Sequence, residues 1–324
     1  MSVRSQFFPP SPSFTEDSLP SLSSRVYIIT GATSGVGHEL AKMLYSRSAT
    51  VYIAARSAPR IDTAIQSIKS TFPDSTGRLE PLCIDLSDLT SIAPTAREFR
   101  EKETRLDGLV LNAGVMTPPD GSKTKQDHEL QMGTNCLGGY LLMRSIEDIL
   151  VETAKVAERG TVRVVWLAST LQIGTPKGGI VWDEAKNKPT VVKNQMENYM
   201  MSKVGNVFLA RETAQRLGRG GVMSVSVNPG FMKTELQRHM PGPVAFMMGL
   251  VFKGPQYGAY SELFGLLSPD VTPDRNGSFI VPWGRFGCLP EVLKLALESK
   301  EQGGTGISQL FVDWCERETY TYRY

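Results

Sequence analysis

The sequence contains little of what disulfide, metal or nucleic-acid chemistry requires. Its 324 residues include four cysteines and three histidines, and no two cysteines form a C-x-x-C pair. The scattered Cys83, Cys136, Cys288 and Cys315 predict free thiols in a reducing compartment, and the histidines are too few to predict a metal site. A formal net charge of +2, without a run of basic residues, gives no reason to expect a nucleic-acid partner.

Long apolar segments are also missing. The longest apolar run, 244–252, is far shorter than the roughly 20 residues that a membrane-spanning helix needs. Residues 1–22 are rich in serine and proline and lack the apolar stretch of a signal peptide. We therefore predict a soluble, cytoplasmic protein without a transmembrane segment.

What the sequence does contain is a regular alternation of strand-like and helix-like segments from residue 25 onward. Short apolar runs, rich in β-branched residues, alternate with longer helical patterns. This order predicts an α/β fold, with a Rossmann-type, doubly wound parallel sheet of about seven strands flanked by helices. The predicted strands are 25–30, 50–55, 78–84, 106–112, 161–169, 222–228 and 278–281, and the predicted helices are 39–46, 60–71, 89–104, 126–157 and 195–217.

The alternation also predicts the domain organisation. We expect one Rossmann domain at 23–288, a flexible N-terminal arm at 1–22 and a partly helical extension at 289–324. Two segments after strand ends, 170–194 and 231–254, are longer than ordinary connections. Long excursions at such places usually carry function.

A glycine-rich turn joins the first predicted strand to the first helix. Residues 30–37 read TGATSGVG, in which glycines allow a tight turn and a close approach of the backbone to a pyrophosphate. The helix that follows offers free N–H groups and the positive end of its dipole. A purely structural turn is the alternative, but the strand before it and the helix after it favour a dinucleotide site. The predicted phosphate-binding residues are Gly31, Thr33, Ser34, Gly35, Val36 and Gly37.

The end of the second strand indicates which dinucleotide. NAD sites place an acidic residue roughly 20 residues after the glycines, where it binds the ribose 2′-hydroxyl. This chain has Arg56 there and no acid. A guanidinium suits a 2′-phosphate, which a carboxylate would repel. We therefore predict NADP(H), the alternative being that Arg56 is a solvated surface residue.

Later strand ends carry further candidates. Asp85 could accept a hydrogen bond from an adenine amino group, although it could equally cap a helix. Small residues at 112–114 leave room beside a flat cofactor, and Pro229-Gly230 turns the chain at the end of the sixth strand. The cofactor-binding residues predicted in these parts of the chain are Asp85, Leu86, Asn112, Ala113, Gly114, Pro229, Gly230, Met232 and Thr234.

One pair of residues indicates acid/base chemistry, and two further polar residues are candidates for the same site. Tyr199 is the only tyrosine with a lysine, Lys203, four residues later, so the two share one helix face. A neighbouring cation lowers the pKa of a phenol, which ordinarily lies near 10, although Tyr-x-x-x-Lys is also common as a plain helix face. Ser169 ends the fifth strand, where α/β folds bind ligands. Asn135 is unfavourable inside a helix, which indicates either a water-binding role or a helix–helix hydrogen bond.

In this order, these motifs resemble the classical short-chain dehydrogenase/reductase family over roughly 24–283. Within the family, ARS at 55–57, NCLGGY at 135–140 and PWGR at 282–285 resemble the retinol-dehydrogenase-like and fungal natural-product branches. The shared motifs are TGxxxGxG at 30–37, NAG at 112–114, Asn135, Ser169, YxxxK at 199–203 and PG at 229–230.

The resemblance implies an Asn-Ser-Tyr-Lys tetrad that works with a nicotinamide cofactor. Tyr199 would protonate a carbonyl oxygen or deprotonate an alcohol, and Ser169 would hydrogen-bond the same oxygen. Lys203 would lower the pKa of Tyr199 and hold the nicotinamide ribose, and both residues would thereby bind the cofactor. Asn135 would anchor a water that relays protons to Lys203.

The resemblance also places a substrate lid at 231–254. This segment is apolar and rich in methionine, which predicts a bulky apolar substrate unless these side chains simply pack on the sheet or a partner. The leading hypothesis is an NADP(H)-dependent oxidoreductase acting on a ketone or secondary alcohol of a polyketide, terpenoid or alkaloid intermediate. The alternative is a redox-neutral cyclisation or isomerisation, or a sensor of nucleotide state. A homodimer through the fourth and fifth helices is a further expectation, on a face that the extension at 289–324 could cap.

Overall fold

The computed structural model describes residues 4–171, 174–233 and 252–323, and its centre is a sheet of eight strands. Seven of the strands run parallel and match the seven predicted ones, which confirms the Rossmann-type α/β fold. A two-residue antiparallel strand at one edge makes the sheet mixed. The strands are β1 (Val26–Thr30), β2 (Thr50–Ala55), β3 (Arg78–Cys83), β4 (Gly108–Leu111), β5 (Arg163–Leu167), β6 (Trp182–Asp183), β7 (Lys188–Pro189), β8 (Met223–Val227), β9 (Phe279–Val281) and β10 (Arg285–Phe286), of which β6 and β7 form a separate hairpin.

The strand order locates the crevice. It reads β10-β9-β8-β5-β4-β1-β2-β3, so the chain winds outward from β1 to β3 and then crosses back to β4. The carboxyl ends of β1 and β4 therefore meet at a topological switch point, which is where such sheets bind ligands.

Helices cover both faces of the sheet. The predicted helix 126–157 is in fact two α-helices separated by a π-helical segment, Gly133–Gly138, and it begins only at Leu130. The helices are α1 (Arg4–Phe7), α2 (Gly35–Ser46), α3 (Ala58–Thr71), α4 (Ile92–Lys102), α5 (Leu130–Met132), α6 (Gly139–Val156), α7 (Gln195–Leu217), α8 (Pro255–Leu267), α9 (Glu291–Leu297) and α10 (Ile307–Thr319).

The sequence prediction lacks the short helix α1 and the longer helix α8. Every residue of α8 from Gly258 to Leu266 is buried, so the helix lacks the polar face that reveals an amphipathic helix in a sequence. Pro255 at its first position fixes a backbone angle that suits a helix start.

The core consists of two apolar clusters, one on each face of the sheet. Successive side chains of a strand point to opposite faces of the sheet. In β5, Trp166 therefore belongs to one cluster and Val165 to the other, and both are fully buried. Strands that are apolar on both faces are typical of parallel sheets covered by helices on both sides.

Segments outside the predicted domain 23–288 also pack on it. From the N-terminal segment, Leu19 and Leu22 are buried in one of the apolar clusters. From the C-terminal extension, Phe311 of α10 lies so close to α7 that a Cβ on Gly205 would be 2.6 Å from its ring. The nearby carboxylate of Glu316 accepts a 2.6 Å hydrogen bond from Arg144 of α6, so α10 is anchored to both α6 and α7.

Within the described part of the chain, no helix combines the length and the apolar character that crossing a bilayer demands.

Candidate active site

A cavity of about 560 Å³ lies at the carboxyl edge of the parallel strands. This volume is within the range of roughly 300–1,000 Å³ that is usual for cofactor and ligand sites. The cavity is lined by most of the residues predicted from the sequence, including Arg56, Ser169, Tyr199 and Lys203. Of the predicted residues within the described ranges, Gly37 and Asn135 are outside the lining. Thr234 and most of the predicted lid lie outside the described residues.

The glycine-rich turn has the geometry of a cradle. Gly31 and Gly35 adopt positive φ angles of 69° and 62°, which glycine reaches at little cost. Asn112 braces the turn, because its Nδ2 donates a 2.8 Å hydrogen bond to the Thr30 carbonyl. A Cβ on Gly37 would lie 2.5 Å from the same Nδ2. Gly37 therefore provides room for Asn112 and does not itself line the cavity.

This contact predicts that Gly37→Ala weakens both folding and cofactor affinity. The added methyl group would displace Asn112 from the turn, and overpacking of this kind typically costs about 1–3 kcal/mol. Thermal unfolding and NADPH titration measure the two effects. Gly139→Ala is the matched control, since a Cβ there would have its nearest neighbour at an ordinary 3.6 Å. Equal behaviour of the two variants would contradict the assignment.

The part of the cavity beside the end of β2 is cationic. Arg56 and Arg60 both line it, and Asp85 is the only carboxylate among the lining residues of the described chain. The Oδ1 atom of Asp85 accepts hydrogen bonds from the backbone N and the hydroxyl of Ser87, at 2.9 and 2.7 Å. Part of this carboxylate thus holds its own loop, and the two guanidinium groups outnumber it, so the net charge of these three groups is positive. Such a pair fits a 2′-phosphate.

The part of the cavity lined by Ser169, Tyr199 and Lys203, called the reacting end below, is built by the segment that follows β5 and by α7. Tyr199 and Lys203 are both buried, and Ser169 forms a side-chain hydrogen bond with Tyr199. Lys203 Nζ donates a 2.9 Å hydrogen bond to the Leu167 carbonyl and lies 5.6 Å from the centre of the Tyr199 ring. The structure therefore brings a phenol, a hydroxyl and an ammonium to one place.

Burial shifts the pKa values of this group. It raises the pKa of Tyr199 to about 12, and the hydrogen bond with Ser169 opposes the shift. It lowers the pKa of Lys203 to about 8, against the charges of Cys136 and Glu262. For Tyr199, the direction is opposite to the one predicted from the Tyr199–Lys203 pair, because burial outweighs the other effects on the phenol. A neutral phenol suits a general acid.

Asn135 connects the π-helical segment to the site without lining the cavity. Its Oδ1 accepts from Val115 N at 2.8 Å, and its Nδ2 donates to the Val115 carbonyl at 3.0 Å and to Ser202 Oγ at 2.9 Å. These bonds fix the segment that follows Gly114 against α7. The sequence left two alternatives for Asn135, a water-binding role or a helix–helix hydrogen bond. The bond to Ser202 of α7 is a helix–helix hydrogen bond.

Several lining residues were not predicted. Met196 and Met200 line the cavity on the same face of α7 as Tyr199 and Lys203, and the spacing of three and four residues could have revealed them. Thr170 also lines the cavity, and its place directly after Ser169 already indicates from the sequence that it could share the role of Ser169. Phe231 and Phe252, by contrast, both belong to the predicted lid 231–254, and they line the cavity and stack with ring centres 5.8 Å apart.

Comparison with known proteins agrees with this geometry. The family model of the short chain dehydrogenases matches residues 25–242. A short-chain dehydrogenase/reductase of Phomopsis amygdali is 41% identical over 98% of this chain and 96% of its own length. The short-chain dehydrogenase/reductase bet4 of Neocamarosporium betae is 39% identical over 99% of this chain and 94% of its own length.

The solved structures agree at the level of the fold. An uncharacterised protein from Mycobacterium paratuberculosis has a TM-score of 0.65 at 24% identity, covering 95% of this chain and 97% of that one. The family match and the two fungal relatives extend over most of the chain. The chain therefore belongs to the classical short-chain dehydrogenase/reductase family of oxidoreductases, in the branch of these fungal enzymes.

Proposed function

We propose that this protein is an NADP(H)-dependent oxidoreductase that interconverts a ketone and a secondary alcohol on a bulky apolar molecule. The observation that carries the proposal is the polarity of one cavity. Arg56 and Arg60 line it beside the end of β2, whereas Ser169, Tyr199 and Lys203 line it beside the end of β5, with β1 and β4 between the two strands. A dinucleotide with a 2′-phosphate matches this distribution of charge, and its nicotinamide supplies or accepts the hydride when it is bound.

The side chains of the reacting end have complementary roles in this proposal. Tyr199 donates its proton to the oxygen of the carbonyl group, and Ser169 stabilises the same oxygen by a hydrogen bond. Lys203 remains fixed by the Leu167 carbonyl, and its positive charge favours the phenolate that forms. Asn135 holds Val115 and Ser202, so we propose that it keeps α7 in register with the cavity wall.

The walls near the reacting end support an uncharged apolar substrate. Val115, Met116, Met196, Met200 and Phe231 contribute apolar surface there. Methionine side chains adapt to irregular shapes, and aromatic walls suit ring systems. We propose an intermediate of the polyketide, terpenoid or alkaloid type as the class of substrate.

Turnover with matched ketones tests this proposal. The purified protein, with NADPH, is given neutral bicyclic and aryl ketones and the same skeletons bearing a carboxylate. We expect the neutral ketones to be reduced, with loss of NADPH absorbance and one alcohol per NADPH consumed. Conversion of a substrate without loss of NADPH absorbance would support the redox-neutral alternative, and absence of any conversion would overturn the reductase.

The shifted pKa values predict how the reduction depends on pH. Lys203 carries its charge below about pH 8 and loses it above that value, because burial lowers the pKa to about 8. Tyr199 keeps its proton throughout, because its pKa is raised to about 12. We therefore expect kcat/KM for reduction to fall as the pH rises through about 8.

Lys203→Arg is the control for this profile. An arginine keeps its charge at all accessible pH values, so its residual activity should not decline near that pH. A decline that persists unchanged in Lys203→Arg would assign the titration to another group.

Location and assembly remain predictions. We propose that 23–288 is the catalytic domain and that the protein acts in the cytoplasm. The extension at 289–324 packs on α6 and α7 through Phe311 and Glu316, so the face predicted for a homodimer is partly covered by the chain itself. Light scattering of the full chain and of a variant with Phe311→Ala tests whether α10 keeps two chains apart.

A further inference from the structure

The side chain of Gln6 lies beside the active site although its partner there is 222 residues away in the sequence. Gln6 belongs to α1, is 2% exposed, and accepts a 3.1 Å hydrogen bond at Oε1 from Asn228 Nδ2. The neighbouring Ser5 carbonyl accepts a 2.7 Å hydrogen bond from Arg285 Nη2. The start of the chain is thus attached to β10 and to the end of β8.

Asn228 connects Gln6 to the cavity. It directly follows β8, is 1% exposed, and its Nδ2 also donates to Thr170 Oγ1 at 3.0 Å. Its Oδ1 accepts from Gly230 N at 2.9 Å. A side-chain amide has two hydrogens to donate, so Gln6 and Thr170 together satisfy both. Thr170 and Gly230 both line the cavity.

Thr170 lines the same cavity as Ser169, Tyr199 and Lys203. It is adjacent in sequence to Ser169, which is hydrogen-bonded to Tyr199. A hydroxyl carries a hydrogen in addition to its lone pairs, so Thr170 can donate a hydrogen bond while it accepts one from Asn228. A donor held in a fixed direction next to a developing oxyanion lowers the barrier.

The amide of Gln6 is not explained by packing alone. Its Nε2 is buried without an acceptor among the described residues, which is an unfavourable arrangement. An apolar side chain of the same shape would avoid this cost but would leave one hydrogen of Asn228 Nδ2 without its acceptor. The contact with Asn228 is therefore the interaction that an amide provides here.

We propose that Gln6 is a positioning residue of the active site, so that the N-terminal segment is a functional part of it. Gln6 holds Asn228, and Asn228 directs the Thr170 hydroxyl toward an oxygen of the substrate, beside Ser169. This role rests on the proposed reductase function. Gln6 acts through Asn228 and Thr170, and it does not line the cavity itself.

A double-mutant cycle tests the coupling. Gln6→Met keeps the shape and removes the acceptor, and Thr170→Val removes the hydroxyl at constant shape. We expect each variant to lower kcat/KM for the neutral ketone about tenfold, the loss expected from one buried hydrogen bond, with the NADPH-over-NADH preference unchanged. Because both act through one hydroxyl, the double variant should be no slower than Thr170→Val. Multiplying losses would overturn the proposal.

Hydrogen exchange provides a readout that does not depend on turnover. In Gln6→Met, we expect faster amide exchange in peptides that contain Thr170 and Gly230, with unchanged exchange in β4. Phe8→Ala is the control, since Phe8 is 72% exposed. Unchanged exchange at both peptides would overturn the role of Gln6, whereas a wild type that reduces no ketone would overturn the reductase and leave the exchange result to judge the positioning.

Discussion

Tyr199→Phe is expected to lower kcat for ketone reduction by about 10²- to 10⁴-fold, the usual range for loss of a general acid. The variant keeps the ring that fills the reacting end of the cavity and removes only the hydroxyl that would protonate the substrate oxygen. The ring and Lys203 remain, so the dissociation constant for NADPH should stay close to that of the wild type. Stopped-flow measurement of NADPH oxidation and a fluorescence titration give the two quantities.

Tyr52→Phe is the matched control for this change. Tyr52 is also buried and also loses a hydrogen bond, because its Oη donates to Glu103 at 3.0 Å. It belongs to the apolar core and does not line the cavity. We expect this control to lose some stability and to keep its kcat. If Tyr199→Phe retained full activity, the proton would have to come from another group, and the proposed mechanism would be wrong.

Arg56→Ala is expected to weaken the binding of NADPH by about 10- to 100-fold and the binding of NADH far less. Hydrogen bonds to charged groups contribute about 1.5–3 kcal/mol, which corresponds to this change in affinity. Only NADPH carries the 2′-phosphate that Arg56 would bind, so the loss should be selective. Titration of both nucleotides against the wild type and the variant measures the selectivity directly.

Two further variants interpret the result. Arg60→Ala shows whether the second guanidinium at this end shares the phosphate, since Arg60 lines the cavity as well. Arg100→Ala should change neither affinity, because Arg100 is exposed and outside the cavity lining. An equal loss of NADPH and NADH affinity in Arg56→Ala would show that Arg56 does not read the 2′-phosphate, and it would remove the argument for NADP(H).

The sequence by itself determined the fold and most of the cavity wall. Strand segments such as 108–111 and 164–167 are continuous apolar runs, and burial on both faces of a parallel sheet requires that pattern. Three site residues come shortly after the ends of such strands, namely Gly31, Arg56 and Ser169, and Tyr199 lies on the long helix α7. Parallel strands present their carboxyl ends at one edge, so the sequence order alone predicts that these residues converge.

Contacts between distant segments were decided only by the tertiary structure. No local pattern relates Gly37 to Asn112, or Gln6 to Asn228, because each pair is joined by the packing of elements far apart in the chain. Helix α8 escaped prediction for a related reason, since a helix buried on all sides has no polar face to give it a period.

The pKa of Tyr199 shows the same division most clearly. Sequence spacing correctly places Lys203 on the same helix face, but it contains no information about how much water reaches the phenol. The tertiary structure buries both groups, and desolvation penalises whichever form is charged. The pair was therefore determined by the sequence, whereas its proton affinities were decided by the fold that encloses it.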